Sequence, residues 1–383
     1  MSKMFSNSRR LDSLPGSIAP SLDRIIDEKR RLGFDLISFA NGDPDLPTPK
    51  FIINALADAI TDPMTHGYPL AEGEQEFKDA VAEWYKKRFR ISVDAKNEVL
   101  PIVGSRDGLT NIVRAFVNAG EKVLVPDPAC STYMNATILS DAIPQKVPLL
   151  EMDNYLPDLD DIQDGKLLFL NYPNNPTTAT IDKKALKTIA DQCRSKNIIL
   201  CYDNTHSEIT YDDYVSPSIL EVDRNAIEFH SFSKTFSMSG ARVGFAAGNS
   251  ELIAGLKKIK QSLDSGVPKF IQRACIAALK SYSVSSRPEA VTNMLKTYET
   301  RRNVLYEGLR NLGFSLEKPK ATLYLWVKVN ESSYEFARKL IEVGVIASPG
   351  SMFGMYGDGY MRFALTQPVE RIKIALERMV SIS

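Results

Sequence analysis

The run Ile227-Glu228-Phe229-His230-Ser231-Phe232-Ser233-Lys234, followed shortly by Gly240-Ala241-Arg242, fixes the architecture. Residues 227–231 have the length and apolar character of a buried strand that ends in small polar residues. In open α/β sheets the working groups collect in loops beyond the carboxyl ends of strands. A lysine at such an end has a bland alternative, a solvated surface amine. Here Ser231 and Ser233 flank Lys234, and Arg242 follows eight residues later. An unprotonated lysine amine suits Schiff-base chemistry, and serines with an arginine suit a phosphate.

Similar apolar runs recur on both sides, at 99–103, 122–125, 167–170, 198–202 and 243–246. Helical patterns stand between and around them, at 75–89, 108–117, 183–196 and 251–261. Short continuous runs alternating with helices predict a doubly wound, mostly parallel α/β sheet. Past residue 285 the texture changes. An amphipathic stretch at 288–312 stops at Gly313, a strand pattern covers 322–329, and helices are expected at 333–343 and 369–380. The expected division is a large domain at 45–285 and a smaller α+β domain built from 1–44 and 286–383.

Composition removes other classes. The chain has 383 residues, 47 Lys+Arg against 47 Asp+Glu, and 44% apolar residues. A balanced charge recruits neither nucleic acid nor an anionic membrane. No apolar run reaches the roughly 18–20 residues that span a bilayer, and the N-terminus lacks a signal-peptide core. Four cysteines with no C-x-x-C spacing and three histidines predict reduced thiols and no metal site. The expectation is a cytoplasmic enzyme.

Three further strand ends carry chemistry. Gly104-Ser105-Arg106-Asp107 opens a helix, where free backbone N–H groups and the dipole favour a phosphate. Asn171-Tyr172-Pro173-Asn174-Asn175-Pro176-Thr177 is a rigid polar turn that presents amides, or merely a connection. Asp203 closes an apolar strand, either as a helix cap or as a carboxylate held against a cationic ligand atom.

In this order the segments resemble the fold-type I pyridoxal-5′-phosphate (PLP) aminotransferases, over nearly the whole chain. Phe39-Ala40-Asn41-Gly42-Asp43-Pro44-Asp45-Leu46-Pro47-Thr48-Pro49 is similar to that family's substrate-binding glycine segment. Gly67-Tyr68-Pro69-Leu70-Ala71-Glu72-Gly73 is similar to its tyrosine-to-glycine motif, and Tyr360-Met361-Arg362-Phe363 to its carboxylate-binding arginine. Within the family, the segments at 98–108, 155–159, 170–177, 227–234 and 263–267 look most like LL-diaminopimelate aminotransferases.

The resemblance implies roles. Lys234 joins the PLP aldehyde and later shuttles the substrate proton, while Asp203 faces the pyridine nitrogen. Asn175 bonds the ring 3-oxygen, and Ser105, Arg106, Ser231, Ser233 and Arg242 surround the phosphate. Tyr68 enters from a partner subunit, which implies a homodimer with shared sites. Arg362 clamps the substrate α-carboxylate, helped by the Gly42 N–H and Asn175. Glu72 and Arg106 are candidate readers of the distal end. The implied reaction moves an amino group between an amino acid and a 2-oxo acid. Glutamate/2-oxoglutarate would be one pair and LL-diaminopimelate or an aspartate-like partner the other, with a place in lysine biosynthesis.

Four positions depart from the family pattern. Cys130 stands where an aromatic residue usually stacks on the ring, and His206 where a tyrosine usually donates to the 3-oxygen. Thr178 replaces a glycine, and Ser17 a substrate-side tyrosine. Two competing expectations share the fold: a β-elimination or C–S lyase, and a non-catalytic PLP-binding regulator. The second usually carries a basic DNA-binding domain, for which about 40 residues ahead of Gly42 leave little room.

Overall fold

The computed structural model describes residues 5–15, 20–162, 164–284 and 286–382; Ser17 lies outside them. Twelve strands are numbered in chain order: β1 Ile37–Ser38, β2 Val99–Ile102, β3 Lys122–Asp127, β4 Ile143–Pro148, β5 Leu167–Asn171, β6 Ile199–Asp203, β7 Ile227–Ser231, β8 Gly244–Gly248, β9 Tyr324–Lys328, β10 Val345–Ile346, β11 Ser348–Pro349 and β12 Tyr360–Ala364. Seven of them form the central sheet in the order β2-β8-β7-β6-β5-β3-β4.

Alternation of side chains buries both faces of that sheet. Val125, Phe169, Cys201 and Phe229 pack under the helices Ser105–Phe116, Ser131–Leu139 and Ser250–Leu263. Leu168, Leu170, Leu200 and Tyr202 face the opposite core, which includes Gln75–Phe89 and Lys183–Ser195. This is the doubly wound α/β arrangement that the apolar runs predict.

Two features differ from the sequence reading. The strand expected at 243–246 is β8, and it runs antiparallel to both β7 and β2. Hydrophobic runs carry no direction, and the link from Ser231 to Gly244 forms the loop bearing Lys234 rather than a long crossover helix. The edge strand β4 falls outside the predicted apolar runs. Its sequence, Ile-Pro-Gln-Lys-Val-Pro, breaks the apolar pattern, which an edge strand exposed on one side tolerates.

In the C-terminal third, β11, β12 and β9 make a small antiparallel sheet. The N-terminal segment joins it: β1 pairs in parallel with β10, Ile37 against Val345. Arg301, on the long helix Glu289–Asn311, binds both Asp45 carboxylate oxygens at 2.7 and 2.9 Å. Chain ends far apart in sequence are thereby fastened together beside the large sheet.

Thr178, the residue replacing a glycine, has φ 63 and is buried. A β-branched residue in the left-handed region is strained. Thr178→Gly is therefore expected to stabilise the protein by about 1 kcal/mol, the relieved strain exceeding glycine's entropy cost. A urea-unfolding midpoint that falls instead would refute this.

Candidate active site

Strands β2, β3, β5, β6 and β7 end at one edge of the sheet, and the reversed β8 begins there. The loops at this edge enclose a cleft of about 840 Å³. Gly42, Ser105, Arg106, Cys130, Asn175, Asp203, His206, Ser231, Ser233, Lys234, Arg242 and Arg362 all line it. β8's reversal explains Arg242: a residue preceding an antiparallel strand lies at the same edge as residues following its parallel neighbours.

Asp203 is buried at the end of β6 and accepts from Tyr133 Oη at 2.7 Å and from the Thr205 N–H at 3.2 Å. It has no ion pair among the described residues, and burial pushes its carboxyl up from the usual range. A buried carboxylate without a cation is costly. The geometry suits a positively charged ligand atom at Asp203.

The Tyr133 ring stacks on Phe169 with centroids 4.9 Å apart, and its hydroxyl orients Asp203. It therefore serves the carboxylate and does not fill the position left by Cys130. Cys130 Sγ lies 3.4 Å from Thr132 Oγ1, in the loop opening the helix Ser131–Leu139.

Lys234 Nζ donates to the Gly42 carbonyl at 2.8 Å, bridging the large sheet and the N-terminal segment. Any side chain at 42 would run into the Tyr324 ring, so glycine is needed for this approach. Arg362, on β12, donates to Asn175 Oδ1 at 2.8 Å and to the Ala40 carbonyl at 2.9 Å. Tyr324 and Phe353 flank its guanidinium at 4.2 and 4.6 Å from their ring centroids. Arg362 Nε is buried without a partner, and no carboxylate of the described residues pairs with this arginine. A planar fork held open in this way suits bidentate binding of a carboxylate.

His206 is buried in the same cleft, edge-on to Tyr324, and neither ring nitrogen has a hydrogen-bond partner. Burial, with Lys234 and Arg362 nearby, pushes its pKa down to about 3. The ring is neutral at neutral pH, with one nitrogen free to donate. The depressed pKa also links to stability: protonation favours the unfolded chain, where the value is near 6.5. The His206 contribution is complete above pH 6.5 and falls away down to about pH 3, by at most about 1.4 kcal/mol per pH unit. His206→Gln is expected to flatten this part of the acid-stability curve, measured by urea unfolding without added ligand. An unchanged slope would refute it.

At the other end of the cleft, Ser105 begins the helix Ser105–Phe116, and Gly104 at φ 76 makes the turn into it. A Cβ on Gly104 would lie 2.7 Å from Arg242 Nη2, so the glycine also gives that arginine its place. Ser231 Oγ accepts from the Ser233 N–H at 3.1 Å. Hydroxyls, a helix N-terminus and two arginines thus converge as a seat for a phosphate.

Tyr68 and Glu72 lie outside their own chain's cleft. Tyr68 is 90% exposed, and Glu72 pairs with Lys257 at 3.5 Å beside a separate surface depression. Sequence reasoning missed Tyr133, Asn171, Tyr324 and Phe353 as lining residues. Only Asn171 carried a signal, as the last residue of a strand-end motif. Among the described residues there is no metal-binding cluster of acidic, histidine or cysteine side chains, and no helix is long and apolar enough to cross a membrane.

A doubly wound sheet with a lysine, a buried carboxylate and an open arginine fork at its carboxyl edge is the framework of a transaminating enzyme. The chain belongs to the class I and II aminotransferases, whose family pattern matches residues 35–379. It is 42% identical to the LL-diaminopimelate aminotransferase of Aquifex aeolicus (strain VF5), over 99% of this chain and 100% of that one. Among solved structures it is similar to substrate-bound BacF from Bacillus subtilis, with 30% identity and a TM-score of 0.92 over 99% of this chain and 98% of that one. A double mutant of Thermus thermophilus aspartate aminotransferase superimposes with a TM-score of 0.92 at 26% identity, over 99% and 100% of the two chains.

Proposed function

We propose that this aminotransferase uses PLP, works as a homodimer, and exchanges an amino group between LL-diaminopimelate, or an aspartate-like amino acid, and 2-oxoglutarate. The observation carrying the cofactor reading is the set of buried groups left without partners. Asp203 lacks a cation, and His206 Nδ1 and Nε2 and Arg362 Nε lack any hydrogen bond. These fit a ring that brings a protonated nitrogen and an oxygen, together with a substrate carboxylate.

When bound, PLP supplies an aldehyde that takes the amino group and a ring that withdraws electrons from the substrate carbon. The chain's own residues do the rest. Lys234 holds the aldehyde end and moves the proton at the substrate Cα. Asp203, fixed by Tyr133 and Thr205, keeps a proton on the ring nitrogen. Asn175 and neutral His206 address the ring oxygen, and Cys130 offers a thiol where a stacking ring is usual. Ser105, Arg106, Ser231, Ser233 and Arg242 hold the phosphate. Arg362 clamps the α-carboxylate beside Gly42.

The dimer reading is supported by an exposed apolar strip on and after the helix Lys50–Thr61: Ile53, Ile60, Met64, Tyr68 and Leu70. Such a strip on a soluble protein marks a contact surface. Tyr68 belongs to this strip and Glu72 follows close behind it, which supports a role for both toward a second subunit. Residues 45–285 would carry the cofactor, and 1–44 with 286–383 would form a smaller domain bearing Arg362.

The test is a half-reaction screen of PLP-loaded protein against LL-diaminopimelate, aspartate, aromatic amino acids and cystathionine, followed by absorbance. Conversion to the pyridoxamine form by the first two is the expected result. Conversion by none of them would overturn the reading. Pyruvate and ammonia from cystathionine without an added 2-oxo acid would favour the lyase.

A further inference from the structure

Among the described residues, Lys260 is the one lysine whose side chain is wholly buried (0% exposed) while it bridges two carboxylates. Its Nζ meets Asp107 Oδ2 at 2.6 Å and Asp264 Oδ2 at 2.7 Å. No step of the proposed reaction uses it. Asp107 lies in the first turn of Ser105–Phe116, two residues past the serine proposed to receive the phosphate. The same Asp107 oxygen accepts from the Val103 N–H at 2.9 Å, which fixes the turn leading into that helix. An acid there suits the helix dipole but opposes an incoming dianion.

The second carboxylate reaches elsewhere. Asp264 Oδ1 accepts from the Gly266 N–H at 2.9 Å, and Gly266 (φ 113) packs against the backbone at Leu70. Gln272 completes the seat, accepting from the Glu74 N–H and donating to the Val267 carbonyl, both at 2.8 Å. The segment carrying Tyr68 therefore rests on the loop that Lys260 holds.

We propose that Lys260 is a positioning residue for the phosphate end of the site: it neutralises Asp107 at the helix start and holds the Tyr68 segment in register with that helix. The inference rests on the PLP reading above. Without Lys260, two carboxylates are left facing each other around the buried position of its Nζ, and the helix start presents a net negative charge to the phosphate.

The experiment is a titration of the apoprotein with PLP, read by absorbance and by thermal midpoint, in wild type, Lys260→Met, Lys260→Met/Asp107→Asn and Asp107→Asn. Lys260→Met is expected to raise the PLP Kd about tenfold or more, as one unit charge at such range implies. The double variant, which restores the local charge, is expected to recover most of that loss. Asp107→Asn alone is expected to bind PLP at least as tightly as wild type, and it carries the test if Lys260→Met does not fold. A folded Lys260→Met with wild-type affinity, a double variant no better than Lys260→Met, or a tenfold loss in Asp107→Asn would each overturn the proposal. Failure of the wild-type chain to bind PLP would instead overturn the cofactor reading itself.

Discussion

Lys234→Ala is expected to lower the rate of the amino-transfer half-reaction by about 10⁴-fold, the upper end of the range for losing a positioned acid–base group. Cofactor affinity should fall far less, since the phosphate seat and Asp203 are untouched. Nζ approaches the Gly42 carbonyl at 2.8 Å, so the amine already stands at the junction of the cofactor and substrate sides. Rapid-mixing absorbance measures the rate. Borohydride reduction followed by peptide mapping should tag position 234 in wild type and leave the alanine variant unlabelled. A variant that reacts at wild-type speed would remove Lys234 from the chemistry.

Asp203→Asn should move activity and stability in opposite directions. Burial raises the folded-state pKa of Asp203, so its contribution to stability is present below the unfolded value and lost as pH rises through the folded one. At neutral pH the burial of this carboxyl therefore costs the apoprotein stability. An asparagine can turn its oxygen to the Thr205 N–H and donate from its amide nitrogen to the Tyr133 hydroxyl, and it cannot ionise. The ligand-free variant is expected to gain about 1–3 kcal/mol of stability. Its half-reaction rate should fall by about 10³-fold, because the ring nitrogen loses the group that keeps it charged. A variant that loses stability without ligand, or keeps its rate, would contradict the role given to this carboxylate.

Much of the site was legible because strand ends announce themselves. Asp203 and Lys234 each follow a continuous apolar run, and the sheet edge brings them together as that pattern implies. Direction was not legible. Gly244–Gly248 reads like its parallel neighbours, and only the pairing with β7 and β2 shows that it is reversed. Residues that work from inside a core were also hidden. Tyr133 sits on a helix with buried neighbours, and nothing in its spacing separates a hydroxyl that orients Asp203 from an ordinary core tyrosine. Lys260 shows another limit: it shares the buried helix face of Ile253 and Leu256, and nothing in that spacing shows that two carboxylates meet it there. Tyr68 and Glu72 were legible as a motif, but both lie outside their own chain's cleft, and the role the motif implies would need a second subunit.

The pairing of Ile37 with Val345 has a consequence for synthesis of the chain. All seven strands of the large sheet have emerged once Gly248 leaves the ribosome. The partner of the N-terminal strand follows roughly 100 residues later, about 5–20 s at ordinary translation rates. During that interval Gly42 and Ala40 lack the framework that presents them to Lys234 and Arg362. The sheet edge bearing Asp203 and Lys234 is thus available for assembly well before β12 brings Arg362 to it.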